Sequence, residues 1–263
     1  MKSPRLLSIA VALTFLLPSR AADSPSPTTA NDLASRLSAL RQDGSSYVRL
    51  RMEINGATKE TLQVQIKERR TKSSSEVVYQ VLFPKERKGE SVLLRKLGNH
   101  AATGSLFAPP DTVRPIDDLK APLLGSDLSY EDAIDNFFAW DQQSIVGAEE
   151  VEGVNCQILE SKPGKDEHST YGSVRSWIDV HRLVPLRIEK YDTSRKLLRR
   201  IDTTRIVAEG GRHIPSDLKV TGARPDSSTL LDGSRISHNV TYTDHDFTIE
   251  GLKQLTPPRK SAD

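Results

Sequence analysis

The residues best able to do chemistry are six histidines, one cysteine and a few carboxylate pairs. The densest group is Asp244-His245-Asp246. In a strand its two carboxylates would share one face and the imidazole would point away, so three metal ligands would not converge. Only a turn could bring them together, and we expect no metal site. The histidines are otherwise scattered, at His100, His168, His181, His213, His238 and His245.

No strong catalytic motif is present in the sequence. It contains no His-Glu-x-x-His, no Cys-x-x-Cys, no glycine-rich phosphate loop and no Gly-x-Ser-x-Gly elbow. The single cysteine, Cys156, lies in a strand-like run at 154–159, which favours a buried, inert thiol over a nucleophile. We therefore expect no enzyme activity, no catalytic residues and no cofactor.

The N-terminus has the three-part pattern of a secretory signal peptide. Lys2 and Arg5 precede an apolar run at 6–17, and small residues follow before Ala22. A membrane-spanning helix needs roughly 20 apolar residues, more than this run supplies. We expect residues 1–22 to be a signal peptide cleaved after Ala21 or Ala22, and the mature protein to be periplasmic.

The charge of the mature chain argues against a nucleic-acid partner. The whole chain carries a formal charge of +2, and residues 1–22 contain Lys2, Arg5 and Arg20 but no acid, so removing them leaves +2 − 3 = −1. A nucleic-acid-binding protein would keep a strong basic excess. We expect a monomer that does not bind nucleic acid.

Hydrophobic periodicity predicts one helix followed by many strands. Leu33, Leu37 and Leu40 recur at helical spacing, Asn31-Asp32 offers an N-cap, and Asp43-Gly44 would end the helix. Beyond it the period drops to two, which is typical of antiparallel strands with one wet face. The predicted strands, about ten or eleven, are 48–54, 62–67, 77–83, 91–97, 157–159, 174–180, 186–191, 197–206, 218–220, 236–242 and 247–249.

A proline-rich insertion at 107–140 interrupts this pattern. Ser129 and Asp132 have the spacing of a helix start, so the insertion is expected to hold a short helix. The fold class is mainly β, a single curved sheet or open barrel with an N-terminal helix. We expect a disordered lead at 23–30, one domain at 31–256 and a disordered tail at 257–263.

Three segments resemble the LolA-like, outer-membrane lipoprotein-sorting proteins. They are 123–132 (with Ser-Tyr-Glu-Asp at 129–132), 153–159, and 177–179 followed by 184–192. The resemblance implies an incomplete antiparallel β-barrel with helices as a lid. Well-known relatives carry lipoprotein acyl chains across the periplasm, from a membrane-bound extractor to an outer-membrane acceptor. The functional arginine of those carriers has no matched position here, although Arg49 and Arg51 lie in a comparable strand.

An open barrel leaves a concave face that side chains alone cannot fill, so a lid or a ligand must cover it. The leading hypothesis is a periplasmic carrier or chaperone that binds lipid or lipoprotein acyl chains. Its partners would include an inner-membrane exporter or an outer-membrane acceptor. The alternative is a non-carrier subunit of an envelope or exporter complex, with a filled core. The expected cavity residues are Leu50, Met52, Leu62, Val64, Leu186, Ile188, Leu218 and Val220, and the expected lid residues are Leu123, Leu124, Phe137 and Phe138.

Overall fold

The structure is a computed structural model that describes residues 29–41, 44–222, 224 and 226–258. The expected signal peptide at 1–22, most of the lead at 23–30 and most of the tail at 257–263 lie outside the described residues. No helix within the described ranges is long and apolar enough to cross a membrane.

The described residues form a single antiparallel sheet of 13 strands. The order across it is β6-β5-β4-β3-β2-β1-β13-β12-β11-β10-β9-β8-β7, so β6 and β7 are the edges and the sheet is open. The mainly β fold is thus confirmed. The strands are β1 (Gly44–Asn55), β2 (Lys59–Arg70), β3 (Ser74–Phe83), β4 (Ser91–Leu97), β5 (Thr103–Ala108), β6 (Thr112–Pro115), β7 (Gln142–Val151), β8 (Val154–Lys162), β9 (Ser173–Asp179), β10 (Val184–Tyr191), β11 (Leu197–Glu209), β12 (Arg212–Thr221) and β13 (Ser228–His238).

The predicted strand count was too low because three strands were missed, namely β5, β6 and β7. Both sheet edges are among them. Strand β7 is exposed along almost its whole length and β6 is exposed throughout. Neither has a buried face, so neither shows the apolar alternation by which strands are recognised in a sequence.

The topology explains why a mid-chain segment must cross the sheet. Strand β6 ends at Pro115 on one edge, and β7 begins at Gln142 on the other. Residues 116–141, here called the crossing segment, join the two edges. The crossing segment and the N-terminal helix both pack on the sheet face that carries Met52 and Leu62, which we call the inner face.

Helix α1 (Ala30–Arg41) begins earlier than predicted, because Thr29 is its N-cap instead of Asn31-Asp32. The Thr29 Oγ1 atom accepts a hydrogen bond from the Asp32 backbone N–H at 3.1 Å and donates one to the Asp32 carboxylate at 2.7 Å. The buried side of α1 carries Leu33 and Leu37. It packs against Phe137, Phe138 and Trp140 of the crossing segment.

The predicted last strand at 247–249 is wrong. The chain forms a 3₁₀ turn at Asp244–Phe247 and then helix α3 (Ile249–Leu252). A capping box between Thr243 and Asp246 starts the turn, and Thr248 caps α3, so local side-chain hydrogen bonds decide the backbone here. Phe247 and Leu252 are fully buried on the outer face of the sheet against β3 and β4, which are covered on both faces.

Candidate functional site

The crossing segment fills one half of the inner face. Leu123 and Leu124 are buried in a 3₁₀ turn, and helix α2 (Tyr130–Ile134) lies beside them. Together they cover the inner side of β1 to β4 in one apolar cluster. The buried members of this cluster are Met52, Ile54, Leu62, Val64, Val77, Tyr79, Val81, Val92, Leu94, Leu123, Leu124, Tyr130, Ala133, Ile134, Val220 and Leu231.

The Ser-Tyr-Glu-Asp sequence starts α2 and fixes it to the sheet. Ser129 and Asp132 form a capping box, as their spacing predicted. The Asp132 carboxylate also receives hydrogen bonds from Lys190 Nζ at 2.7 Å and from the Tyr171 hydroxyl at 2.7 Å. Arg199 Nη1 lies 3.0 Å from its other oxygen. Burial would raise the pKa of Asp132, but the two cations lower it to about 2, so the carboxylate stays ionised.

Further polar contacts hold the crossing segment on both sides of α2. Asp127 accepts hydrogen bonds from Thr229 Oγ1 at 2.9 Å and from Ser227 Oγ at 2.5 Å. Glu131 accepts hydrogen bonds from Thr170, through its backbone N–H and its hydroxyl. Arg70 donates to the carbonyl of Ile134 at 2.9 Å, at the C-terminal end of α2. The crossing segment is thus attached to β2, β10, β11 and β13 by buried or half-buried groups.

The rest of the inner face is only partly filled, because α1 and Phe137 pack over β8 and β9 but leave a gap beside them. A cavity of about 470 Å³ remains between α1, the crossing segment and strands β1, β2 and β10 to β13. This volume falls within the range of small-molecule pockets, roughly 300 to 1,000 Å³. Its apolar lining is Leu37, Leu40, Leu50, Met52, Ile66, Leu128, Ala133, Phe138, Leu183, Pro185, Ile188, Ile201, Ile214, Pro215, Leu218 and Leu231.

The predicted cavity residues divide between this cavity and the packed parts of the protein. Four of them, Leu50, Met52, Ile188 and Leu218, line the cavity. Leu62, Val64 and Val220 are fully buried in the cluster under the crossing segment. The eighth, Leu186, lies on the outer face.

A β-bulge accounts for the position of Leu186. Pro185 pairs with Ile178 but Arg187 pairs with Trp177, so β10 has one extra residue at Leu186. The extra residue reverses the side-chain alternation at that point. Leu186 therefore packs with Trp177 on the outer face, while Pro185 and Ile188 both line the cavity.

The predicted lid residues also divide into two groups. Leu123 and Leu124 pack into the cluster over β1 to β4. The rings of Phe137 and Phe138 contact each other at a tilt of 50°, with centroids 4.4 Å apart, and both pack against α1. Of the four, Phe138 alone is part of the cavity wall.

Sequence reasoning missed the part of the cavity wall formed by α1 and by the β11–β12 hairpin. Leu37 and Leu40 were assigned to the helix but not to a site, and Ile201 and Ile214 were not singled out. The helical spacing of Leu33, Leu37 and Leu40 was the available signal for the α1 part of the wall, since an amphipathic helix packs its apolar side against another part of the protein.

One end of the cavity is polar and charged. Ser46 and His238 are register partners there, and Arg41, Glu68 and Arg70 also line it. Arg70 forms an ion pair with Glu68. Burial would raise the pKa of Glu68, but Arg70, together with a hydrogen bond from Ser46, outweighs burial and lowers it. Burial, with Arg70 nearby, lowers the pKa of Arg41.

The residues first considered for chemistry are engaged elsewhere. Asp244-His245-Asp246 does form a turn, but Asp246 pairs with Lys67 at 3.2 Å and Asp244 with Arg69 at 2.9 Å. In the described ranges no group of three or more metal-ligating side chains comes together. Cys156 is buried as predicted, and burial raises the pKa of its thiol.

Several solved structures share this fold. A DUF1329 family protein from Desulfovibrio piger superposes with a TM-score of 0.78 at 23% identity, over 85% of this chain and 97% of that one. A putative outer membrane lipoprotein-sorting protein domain from Vibrio parahaemolyticus gives 0.76 at 20% identity, over 86% and 98%. A LolA superfamily protein from Nitrosomonas europaea gives 0.67 at 18% identity, over 84% and 97%.

At these identities the three likenesses establish the fold, which is the LolA-like fold that the sequence motifs predicted. Among curated proteins, none matches the chain. A family model described as "Uncharacterized protein" matches residues 73–254, which is more than half of the 263 residues. The chain therefore belongs to that uncharacterized-protein family and has the fold of the LolA superfamily.

Proposed function

We propose that this chain is a periplasmic carrier or chaperone that holds the acyl chains of a lipid or a lipoprotein in the cavity of its inner face. In this proposal residues 1–22 are removed on export and residues 31–256 form the carrier unit. The protein takes up its cargo from an inner-membrane exporter and delivers it to an outer-membrane acceptor.

The observation that carries the proposal is a large, mainly apolar cavity on the inner face. The cavity, of about 470 Å³, is only partly enclosed, so the aliphatic side chains that line it leave apolar surface in contact with water. An acyl chain would cover this surface and gain roughly 0.8 kcal/mol per buried CH₂. Leu50, Ile188 and Leu218, from three different strands, provide such a surface.

The fold supports the same function. Solved structures of this fold include a putative outer membrane lipoprotein-sorting protein domain and a LolA superfamily protein. They superpose on 86% and 84% of this chain, respectively.

The proposal is tested on the protein purified from a periplasmic fraction. Lipids are extracted from it and identified by mass spectrometry, and a fluorescent fatty acid is titrated into the delipidated protein. We expect a bound lipid in the extract and saturable binding of one probe per chain. A clean extract together with no probe binding would contradict the carrier function. Intact-mass analysis of the same sample tests cleavage after Ala21 or Ala22.

A non-carrier subunit is the second candidate, and edge strand β7 favours it. Ile145 and Val146 on this strand are large, apolar and exposed, and an exposed edge can pair with a strand of another protein. A subunit of this kind would copurify with its complex and would bind no lipid, so the lipid experiment separates the two candidates.

A further inference from the structure

We propose that the cargo is an anionic amphiphile whose carboxylate or phosphate group is bound by Arg41, with its apolar chain running toward Met52 and Leu218. This inference rests on the proposed carrier function and goes beyond it by naming the chemical class of the ligand. Three observations support this inference. One end of the cavity is charged, the guanidinium of Arg41 has no carboxylate partner among the described residues, and the cavity runs along β1 away from that end.

Arg41 is the last residue of α1 and lines the cavity wall. Its guanidinium stacks over the Phe137 ring, 5.9 Å from the centroid. Within the described part of the chain no hydrogen bond or ion pair to a carboxylate satisfies it. A half-buried guanidinium without such a partner is costly, and an anionic ligand group would supply the missing hydrogen bonds.

The carboxylates near Arg41 already form ion pairs with other basic side chains. Glu68 is bound by Arg70, and Asp135 is bound by Lys96 at 2.6 Å. Arg70 is further committed to the carbonyls at the end of α2. Arg41 and Arg70 thus share a single adjacent carboxylate, Glu68, so these two guanidiniums carry one positive charge more than Glu68 balances.

The strand register gives the cavity a direction. Ser46 of β1 is opposite Glu68 and His238 at the polar end. Six residues further along the same strand, Met52 is opposite Leu231, which in turn is opposite Leu218 of β12. Six residues of strand span about 20 Å. The cavity therefore runs from a cationic end to an aliphatic end over roughly the length of a long acyl chain.

Guanidinium is suited to this task because its planar fork binds carboxylate or phosphate with two parallel hydrogen bonds. A neutral amphiphile of the same length would fill the aliphatic part but would leave Arg41 unsatisfied. A site of this kind discriminates between head groups by charge.

The test compares dodecanoate with dodecanol as competitors for a bound apolar fluorescent probe at neutral pH. We expect wild-type protein to bind dodecanoate about tenfold more tightly than dodecanol, the effect of one charge-assisted contact. In Arg41→Met the preference should disappear through loss of dodecanoate affinity, with dodecanol affinity unchanged. Arg36→Gln is the matched control, because Arg36 is on the exposed side of the same helix and should leave both affinities unchanged.

The other outcomes of this experiment contradict either the anionic-cargo inference or the carrier function itself. Equal binding of both amphiphiles by the wild type, or a preference that survives in Arg41→Met, overturns the inference while leaving the carrier function intact. Failure of both amphiphiles to displace the probe contradicts the carrier function itself. Inorganic phosphate is the third ligand. If phosphate alone raises the melting temperature of the wild type but not of Arg41→Met, and dodecanoate shows no preference over dodecanol, the site binds free anions and the amphiphile inference is wrong.

Discussion

Asp132 Oδ1 lies 2.7 Å from Lys190 Nζ, and both side chains are almost completely buried. This ion pair joins the crossing segment to β10. Asp132 also lines the cavity at the start of α2, so the ion pair borders the cavity. The ammonium of Lys190 is enclosed by the rings of Tyr171 and Phe137, at 4.8 and 5.2 Å from their centroids.

Replacing Asp132 by Asn should be strongly destabilising. The amide keeps the shape of the side chain but leaves Lys190 and Arg199 without their carboxylate in a buried site. Breaking a buried ion pair in this way costs about 3 kcal/mol or more. Urea denaturation at neutral pH measures the loss, and Asp166→Asn, an exposed aspartate, is the control. A loss no larger than that of the control would mean that the ion pair does not hold the crossing segment.

The same residue predicts a pH dependence. The pKa of Asp132 is lowered from 3.8 to about 2 in the folded protein. The unfolded state therefore binds a proton first on acidification, and the stabilisation is present above about pH 4 and is lost as the pH falls from about 4 to 2. Its size at neutral pH is about 2 kcal/mol. We expect the stability difference between wild type and Asp132→Asn to be constant from pH 7 to 5 and to shrink below pH 4. A difference that stays constant at acid pH would contradict the lowered pKa.

The turn at Asp244–Phe247 offers a matched pair of substitutions on the outer face. Asp246 is the partner of Lys67, whose side chain is 2% exposed, whereas Asp244 is 95% exposed and pairs with Arg69, which also binds Glu76. Asp246→Ala leaves a buried ammonium without a carboxylate and should cost about 2 kcal/mol or more. Asp244→Ala removes a surface contact and should cost less than about 0.5 kcal/mol. Equal shifts of the two urea midpoints would show that the turn does not contribute through Lys67.

Strands with one face buried and the other exposed to water were predictable from the sequence. In β1 the buried residues alternate with exposed arginines, and the Ser129–Asp132 spacing marks a real capping box. These signals are local and depend on a few neighbouring residues, so they can be recognised in a single sequence. The edge strand β7 gave no such signal, because neither of its faces is buried.

The site was less predictable because it depends on contacts between distant residues. The bulge at Leu186 is a property of the pairing between β9 and β10, and its local sign in the sequence is Pro185, since sheets accept proline at bulges but also at edges and strand starts. Whether an inner-face leucine is packed or lines the cavity depends on where the crossing segment lies. Leu62 and Leu50 have the same pattern in sequence, yet Leu62 is fully buried inside the cluster, whereas Leu50 packs at its margin and lines the cavity.

That difference between Leu50 and Leu62 gives the sharpest test of the cavity. Both side chains point from neighbouring strands to the inner face, but Leu62 is fully buried in the packed cluster and Leu50 is half-buried at the cavity wall. Leu62→Asp buries an unpaired charge among aliphatic side chains, so it should lower stability by several kcal/mol and prevent folding. In Leu50→Asp the carboxylate faces a space that water can enter, so the thermal melt should stay cooperative while binding of the fluorescent fatty acid is lost.

Leu50→Asn controls for charge, since a neutral polar side chain at the same place should weaken binding less than the carboxylate does. If the protein is a carrier, Leu50→Asp should fold but lose probe binding, whereas Leu62→Asp should lose both folding and binding. If Leu50→Asp unfolds as Leu62→Asp does, the inner face is a solid core in solution and the cavity is not a binding site. If Leu50→Asp folds and still binds the probe as tightly as the wild type, the acyl chain lies elsewhere on the protein, and the cavity assignment is wrong.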